Sequence, residues 1–238
     1  MSRAATNLQI DSARLWGAIH ETAQFGGTAK GGVRRLTLSS EDKQVRDWFR
    51  KACEDAGLEV HTDALGSQFG LRKGRDMSKL PVGIGSHLDT QPTGGKYDGI
   101  LGTLGALEVI RTLNDAGIET EAPICVVNWT NEEGSRFAPA MMASAAYVGD
   151  FTTDDILSRK DIDGTTVSQA LEHMRTYKPV VYMPAHHDAP FTGRAGLWRS
   201  TEPLFQAMKD ENPALITVSK QYREPVCFNT EVNIQRSR

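Results

Sequence analysis

Apolar residues recur along this chain in two rhythms, and the switches between them mark out its elements. Leu15, Ile19 and Ala23 fall every four positions behind Asp11 and Ser12, which predicts a capped helix from about Asp11 to Gly26. A second helix is predicted from Ser40 to Gly57, with Ser39 or Ser40 as cap and Glu41 and Asp42 in its first turn. The rhythm then shortens: Leu58–Thr62 and Ser67–Arg72 read as a strand pair around Ala64-Leu65-Gly66. Val82–Gly85 reads as another strand. Gly99 to Leu113 reads as a helix with Leu101, Leu104, Leu107 and Ile110 toward a core. Ile124 to Trp129 is a continuous apolar run, as expected of a central strand in a sheet covered on both faces. Strands alternating with helices predict an α/β domain.

After about Met174 the rhythm is lost. Prolines 179, 184, 190, 203, 213 and 225 interrupt every candidate element. The expected organisation is therefore one domain over residues 1–174 and an irregular tail over residues 175–238.

Composition narrows the function classes. The 238 residues are 39% hydrophobic and 24% charged with a net charge of −3, ordinary values for a globular protein. No basic stripe or acidic block points to a nucleic-acid or membrane-surface partner. No run approaches the roughly 18 apolar residues of a membrane span. Met1–Asn7 lacks an apolar signal core, so a cytoplasmic location is expected. Cys53, Cys125 and Cys227 are far apart and odd in number, which argues against a disulfide framework. Cys125, inside the apolar run, reads as a small hydrophobe.

Candidate chemistry gathers where predicted strands end. Gly85-Ser86-His87-Leu88-Asp89-Thr90 follows the third strand, and Gly94-Gly95-Lys96-Tyr97-Asp98-Gly99 opens the third helix. Asn131-Glu132-Glu133-Gly134-Ser135 follows the apolar strand. One imidazole with several carboxylates is a donor set suited to zinc or manganese. A spare carboxylate beside them is the proton carrier that a metal-assisted hydrolase needs. On an extended strand end, His87 and Asp89 share a face, so the Asp89 carboxylate is expected on the second ring nitrogen of His87. Glu132 and Glu133, if also extended, point in different directions, one to a metal and one to water. Each piece alone has a plainer reading: His-x-Asp is common, Asp98 suits a helix cap, and a Glu pair after a strand suits a solvated loop. Their occurrence together, in order and at strand ends, favours the site. Arg136 is read as a buttress of the Glu133 loop, with a substrate carboxylate as its alternative partner.

The blocks GSHLDTQPTGGKYDGILGTLGALEVI and NEEGSRFAPAMMASAAYVG resemble the N-carbamoyl-L-amino acid hydrolase group. That group includes β-ureidopropionase of the fungal and bacterial type and allantoate amidohydrolase, within the aminoacylase-like dinuclear metallopeptidase superfamily. The likeness covers about residues 8–174, including Thr28–Leu36. It implies a mixed sheet flanked by helices. It implies His87 and Glu133 as metal ligands, Asp98 as the bridging ligand, Glu132 as general base and Asp89 as companion of the histidine. It also implies two divalent cations per site (zinc, or manganese, cobalt or nickel), a small carbamoyl or ureido amino acid as substrate, and a homodimer.

Members of the group continue into a His-Ile-Glu-Gln-Gly-Pro segment, a lid domain that also dimerises, and a last Gly-His-Asp segment. None is recognisable here, so the chain resembles a C-terminally truncated member without the lid and dimerisation domain. His173 is expected to face solvent, and Ala185-His186-His187-Asp188-Ala189 only faintly resembles the last motif. His87, Asp98 and Glu133 satisfy one open tetrahedral site and leave a second short of ligands. Much reduced activity or none is expected, the alternative being a non-catalytic relative that binds metal or substrate or docks on a full-length paralogue.

Overall fold

The computed structural model describes residues 8–174 and 182–183. Two long helices come first, α1 (Ser12–Thr22) and α2 (Ser40–Asp55). Asp11 caps α1, its carboxylate accepting from Arg14 N at 2.9 Å, and Ser39 caps α2, its hydroxyl accepting from Asp42 N at 3.2 Å. Then follow β1 (Glu59–Asp63), β2 (Gln68–Arg72), β3 (Val82–His87), α3 (Ile100–Asp115) and β4 (Ile124–Trp129). Short elements close the described chain: α4 (Met142–Val148), α5 (Thr153–Ser158), α6 (Val167–Met174) and the two-residue β5 (Tyr182–Met183).

The five strands form one mixed sheet in the order β3-β4-β2-β1-β5. β1 and β2 are an antiparallel hairpin, β2 and β4 are antiparallel, and β3 runs parallel to β4. The hairpin turn is set by Asp63, whose Oδ1 accepts from Leu65 N at 2.9 Å and Ser67 N at 2.7 Å. β4 is buried along its whole length, as its apolar run predicts. Its side chains alternate between two cores. Ile124 and Val126 pack with Ile19, Phe49, Leu104 and Leu107 beneath the three long helices, while Cys125, Val127 and Trp129 meet Phe69 and Tyr147 on the other face. The mixed α/β sheet flanked by helices is thus the architecture the chain adopts.

One core assignment needs correcting. Leu101 is 51% exposed, whereas Leu104, Leu107 and Ile110 are buried together with Ile100. At 100° per residue the core stripe of α3 passes through Ile100, and Leu101 is turned off it. Arg14 clamps α1 to α3 through Glu108, at 2.7 Å. No described helix is long and apolar enough to cross a membrane. Cys53 and Cys125 are buried free thiols, and burial pushes the Cys125 thiol up to about 12, so neither has the thiolate character of a nucleophile. Cys227 and the residue 184–238 stretch lie outside the described residues, and so does the proposed domain boundary's far side.

Candidate metal centre

Because β3 and β4 are parallel and in register, His87 pairs with Trp129 at the same end of the sheet. The chain leaving each strand therefore delivers its polar residues to one place, the carboxyl edge where α/β sheets hold ligands. His87 is 3% exposed. Its Nδ1 lies 2.9 Å from the main-chain oxygen of Asp89, and the tautomer that satisfies this carbonyl carries its proton on Nδ1. Nε2 is then the donor atom, with Glu132 Oε2 at 3.3 Å and Asp98 Oδ1 at 3.9 Å. Burial works to lower the His87 pKa, but the Asp89 and Glu132 carboxylates outweigh it and hold the imidazole above its ordinary value.

Asp89 does not hold the ring through its carboxylate, as expected from a simple extended end. Oδ1 is 3.7 Å from Nδ1, beyond hydrogen-bond reach, and the main-chain oxygen takes the ring proton instead. The carboxylate is turned across to the other strand end, where it accepts from Glu132 N at 3.3 Å and Glu133 N at 3.4 Å. Asp89 thereby ties the two halves of the site together. Burial pushes its carboxyl up to about 7, against the pull of the His87 ring.

Asp98 is not a helix cap. The cap position of α3 is Gly99, and no side chain caps it, which leaves the Asp98 carboxylate facing His87. Gly99 has φ 64 and ψ −52, and Ile100 N donates to Asp98 O at 2.6 Å. This is a γ-turn of positive φ, strained for any residue with a side chain. A Cβ at Gly99 would also stand 2.4 Å from His87 Cε1, so the turn packs its bare α-carbon against the imidazole.

The Glu132-Glu133 pair sits on a tight turn and not on an extended end. Asn131 has φ 56 and Gly134 has φ 66. Buried Asn131 donates through Nδ2 to Phe137 O at 2.6 Å and Pro139 O at 3.2 Å, and Met141 N donates to Glu132 O at 2.6 Å. The 131–141 loop is thus pinched shut. Both carboxylates face the site: Glu132 reaches His87, and Glu133 joins His87 and Asp98 in a group whose ligand atoms all lie within 4.8 Å of one another. Arg136 buttresses this loop, donating to Asp161 Oδ2 at 3.1 Å, Thr37 O at 3.0 Å and Leu38 O at 2.7 Å.

Three further residues shape the centre without having been legible as such. Gln91 donates to Glu133 Oε2 at 3.1 Å. Buried Arg35 donates through Nε to Leu88 O at 2.7 Å and through its terminal nitrogen to Thr22 O and Phe25 O, each at 2.9 Å. Asn131 makes the turn. Gln91 and Asn131 stand inside the motifs, so their position was the available signal; Arg35 lies in the Thr28–Leu36 stretch, but nothing there marked it as buried. His173 is exposed on α6, as expected, and His186 and His187 lie outside the described residues.

One imidazole nitrogen and two carboxylate oxygens, converging with Nε2 left as donor and Asp98 free of capping, fit a divalent cation with an open position. The fold and this donor set together give an α/β sheet with a candidate metal site at its carboxyl edge. Residues 83–169 match Peptidase family M20/M25/M40. The chain is 47% identical over 174 residues to the N-carbamoyl-L-amino-acid amidohydrolase of Rhizobium meliloti, covering 73% of this chain and 42% of that one. It is 32% identical over 164 residues to the ureidoglycolate hydrolase of Arabidopsis thaliana, covering 69% of this chain and 34% of that one. The crystal structure of a hydantoinase/carbamoylase family amidase from Burkholderia ambifaria superposes with a TM-score of 0.70 at 53% identity, over 70% of this chain and 41% of that one. Over the matched residues the chain is similar to N-carbamoyl-L-amino-acid amidohydrolases and, over residues 83–169, to Peptidase family M20/M25/M40. It spans about two fifths of the length of the curated relatives it matches.

Proposed function

We propose that this chain carries a metal site of a metal-dependent hydrolase acting on non-peptide C–N bonds, with N-carbamoyl-L-amino acids as substrates. The observation that carries the reading is the convergence of His87, Asp98 and Glu133 within 4.8 Å. These three are assigned as metal ligands, for zinc, manganese, cobalt or nickel. A divalent cation bound there supplies charge that acidifies water and polarises the carbamoyl carbonyl. Glu132, beside the donor nitrogen of His87, takes the proton of the attacking water and returns it to the leaving nitrogen. Asp89 keeps both ends in place: its main-chain oxygen fixes the His87 tautomer and its carboxylate holds the Glu132-Glu133 turn. Among the described residues these three protein donors are enough for one open tetrahedral site.

A ureido acid of the allantoate type is the second substrate reading, favoured by the likeness to the Arabidopsis ureidoglycolate hydrolase. The test is ammonia release from N-carbamoyl-L-amino acids and from allantoate with added zinc, manganese or cobalt. Turnover is expected to need the cation and to fall about 100- to 10,000-fold in Glu132→Ala, with zinc affinity retained. Zinc binding without any ammonia release would replace the catalytic reading with a metal-binding one. Zinc affinity untouched by both His87→Ala and Glu133→Gln would sink the site itself.

A further inference from the structure

We propose that Gln91 is a positioning residue for the Glu133 carboxylate, fixing which oxygen that carboxylate presents to a divalent cation; this rests on the reading of the site given above. Gln91 Nε2 donates to Glu133 Oε2 at 3.1 Å. The donor engages Oε2 and leaves Oε1 outside that bond, so the two oxygens of Glu133 are not equivalent toward the His87 and Asp98 group. Without it, the carboxylate of Glu133 rotates freely about its last torsion, which is broad for a carboxylate.

An exposed glutamine normally makes a weak tether, because a mobile side chain loses rotamer freedom on forming the bond. Here the backbone beneath it is fixed from several directions. Thr90, only 2% exposed, exchanges two hydrogen bonds with Arg35: Thr90 N donates to Arg35 O and Arg35 N donates to Thr90 Oγ1, both at 2.8 Å. Gln91 then opens a turn with Pro92 at its second position, closed by Gly94 N donating to Gln91 O at 3.2 Å. Gly94 is itself paired with Val33 by two main-chain hydrogen bonds of 3.0 Å. The same segment leads on to Asp98. Gln91 thus joins the stretch that carries His87, Asp89 and Asp98 to the ligand that arrives from β4. Outer-shell partners of this kind are commonly worth about 10- to 100-fold in metal affinity.

The experiment titrates the 238-residue chain with zinc by calorimetry, and with cobalt by visible absorption, for wild type, Gln91→Ala, Gln91→Glu and Glu133→Gln. Urea unfolding of the metal-free proteins runs in parallel. Gln91→Ala is expected to weaken zinc binding about 10- to 100-fold and to alter the cobalt spectrum, with the metal-free unfolding midpoint unchanged. Gln91→Glu, isosteric but without the donor, is expected to do at least as much. Wild-type affinity and spectrum in Gln91→Ala, beside a large loss in Glu133→Gln, overturns the proposal and leaves the site standing. An affinity loss matched by a lower metal-free midpoint also overturns it, assigning Gln91 to folding. No affinity loss in Glu133→Gln overturns the underlying site.

Discussion

Replacing Gly99 with alanine perturbs one carbon atom and tests the geometry of the whole centre. Alanine at φ 64, ψ −52 meets backbone strain of about 1–3 kcal/mol. Its Cβ would stand 2.4, 2.5 and 2.6 Å from His87 Cε1, Nδ1 and Nε2, where carbon contacts normally settle at about 3.5–4.0 Å. The ring cannot yield cheaply, because it is 3% exposed and held through Nδ1 by Asp89 O. Relieving the clash requires about 1 Å of movement in the ring or the turn, an overpacking penalty of about 1–3 kcal/mol. The total, about 2–6 kcal/mol, is a large part of an ordinary domain's stability of about 5–15 kcal/mol. Urea unfolding of the metal-free chain measures it, and calorimetric zinc titration of the folded fraction reads the displaced ligand. Gly105→Ala is the internal control: it lies within α3, nothing stands within 4 Å of its Cβ position, and the exchange should stabilise by about 0.5–1 kcal/mol. If Gly99→Ala matched wild type in both unfolding midpoint and zinc affinity, the packing of the γ-turn against His87 would be refuted.

Two further substitutions probe the scaffold. Asp63 is buried, and burial raises its carboxyl to about 7 against about 3.9 in an unfolded chain. The native state therefore keeps a proton that the unfolded state has lost, so this stabilisation is complete below about pH 4 and disappears as pH rises through about 7. Asp63→Asn should gain on wild type by up to a few kcal/mol between pH 4 and 8, measured by urea unfolding; parallel pH curves for the two proteins would contradict this. Arg136→Ala removes donors from Asp161, Thr37 and Leu38 and is expected to destabilise by about 1.5–3 kcal/mol. Zinc affinity and KM should stay within twofold; a large rise in KM with unchanged stability would instead make Arg136 a substrate ligand.

The sequence rhythm located β4, α2 and α3 to within a residue or two because their apolar positions are numerous and regular. It failed where one residue's orientation mattered: Leu101 shares the leucine spacing of α3 but is turned about 100° from Ile100, off the stripe that Ile100 forms with Leu104 and Leu107. Elements α4 to α6 are six to eight residues long, too short for a period to accumulate. His87, Asp98, Glu132 and Glu133 could be picked out because residue type and strand-end position suggest chemistry. How they meet could not, because it depends on two positive-φ residues, Asn131 and Gly99, and on Asp89 using its main-chain oxygen and its carboxylate for different tasks. Arg35 shows the same limit from the other side. An arginine reads as surface, yet this one is 2% exposed and binds three main-chain oxygens.

The parallel pairing of His87 with Trp129 has a consequence for how the protein matures. A slip of one residue between β3 and β4 would turn His87 to the opposite face of the sheet and carry Glu132 and Glu133 out of reach. Capture of a cation therefore reports the alignment of two strands separated in the chain by α3. Zinc added during refolding should bind only after that alignment is complete, which makes metal uptake a clock for sheet assembly.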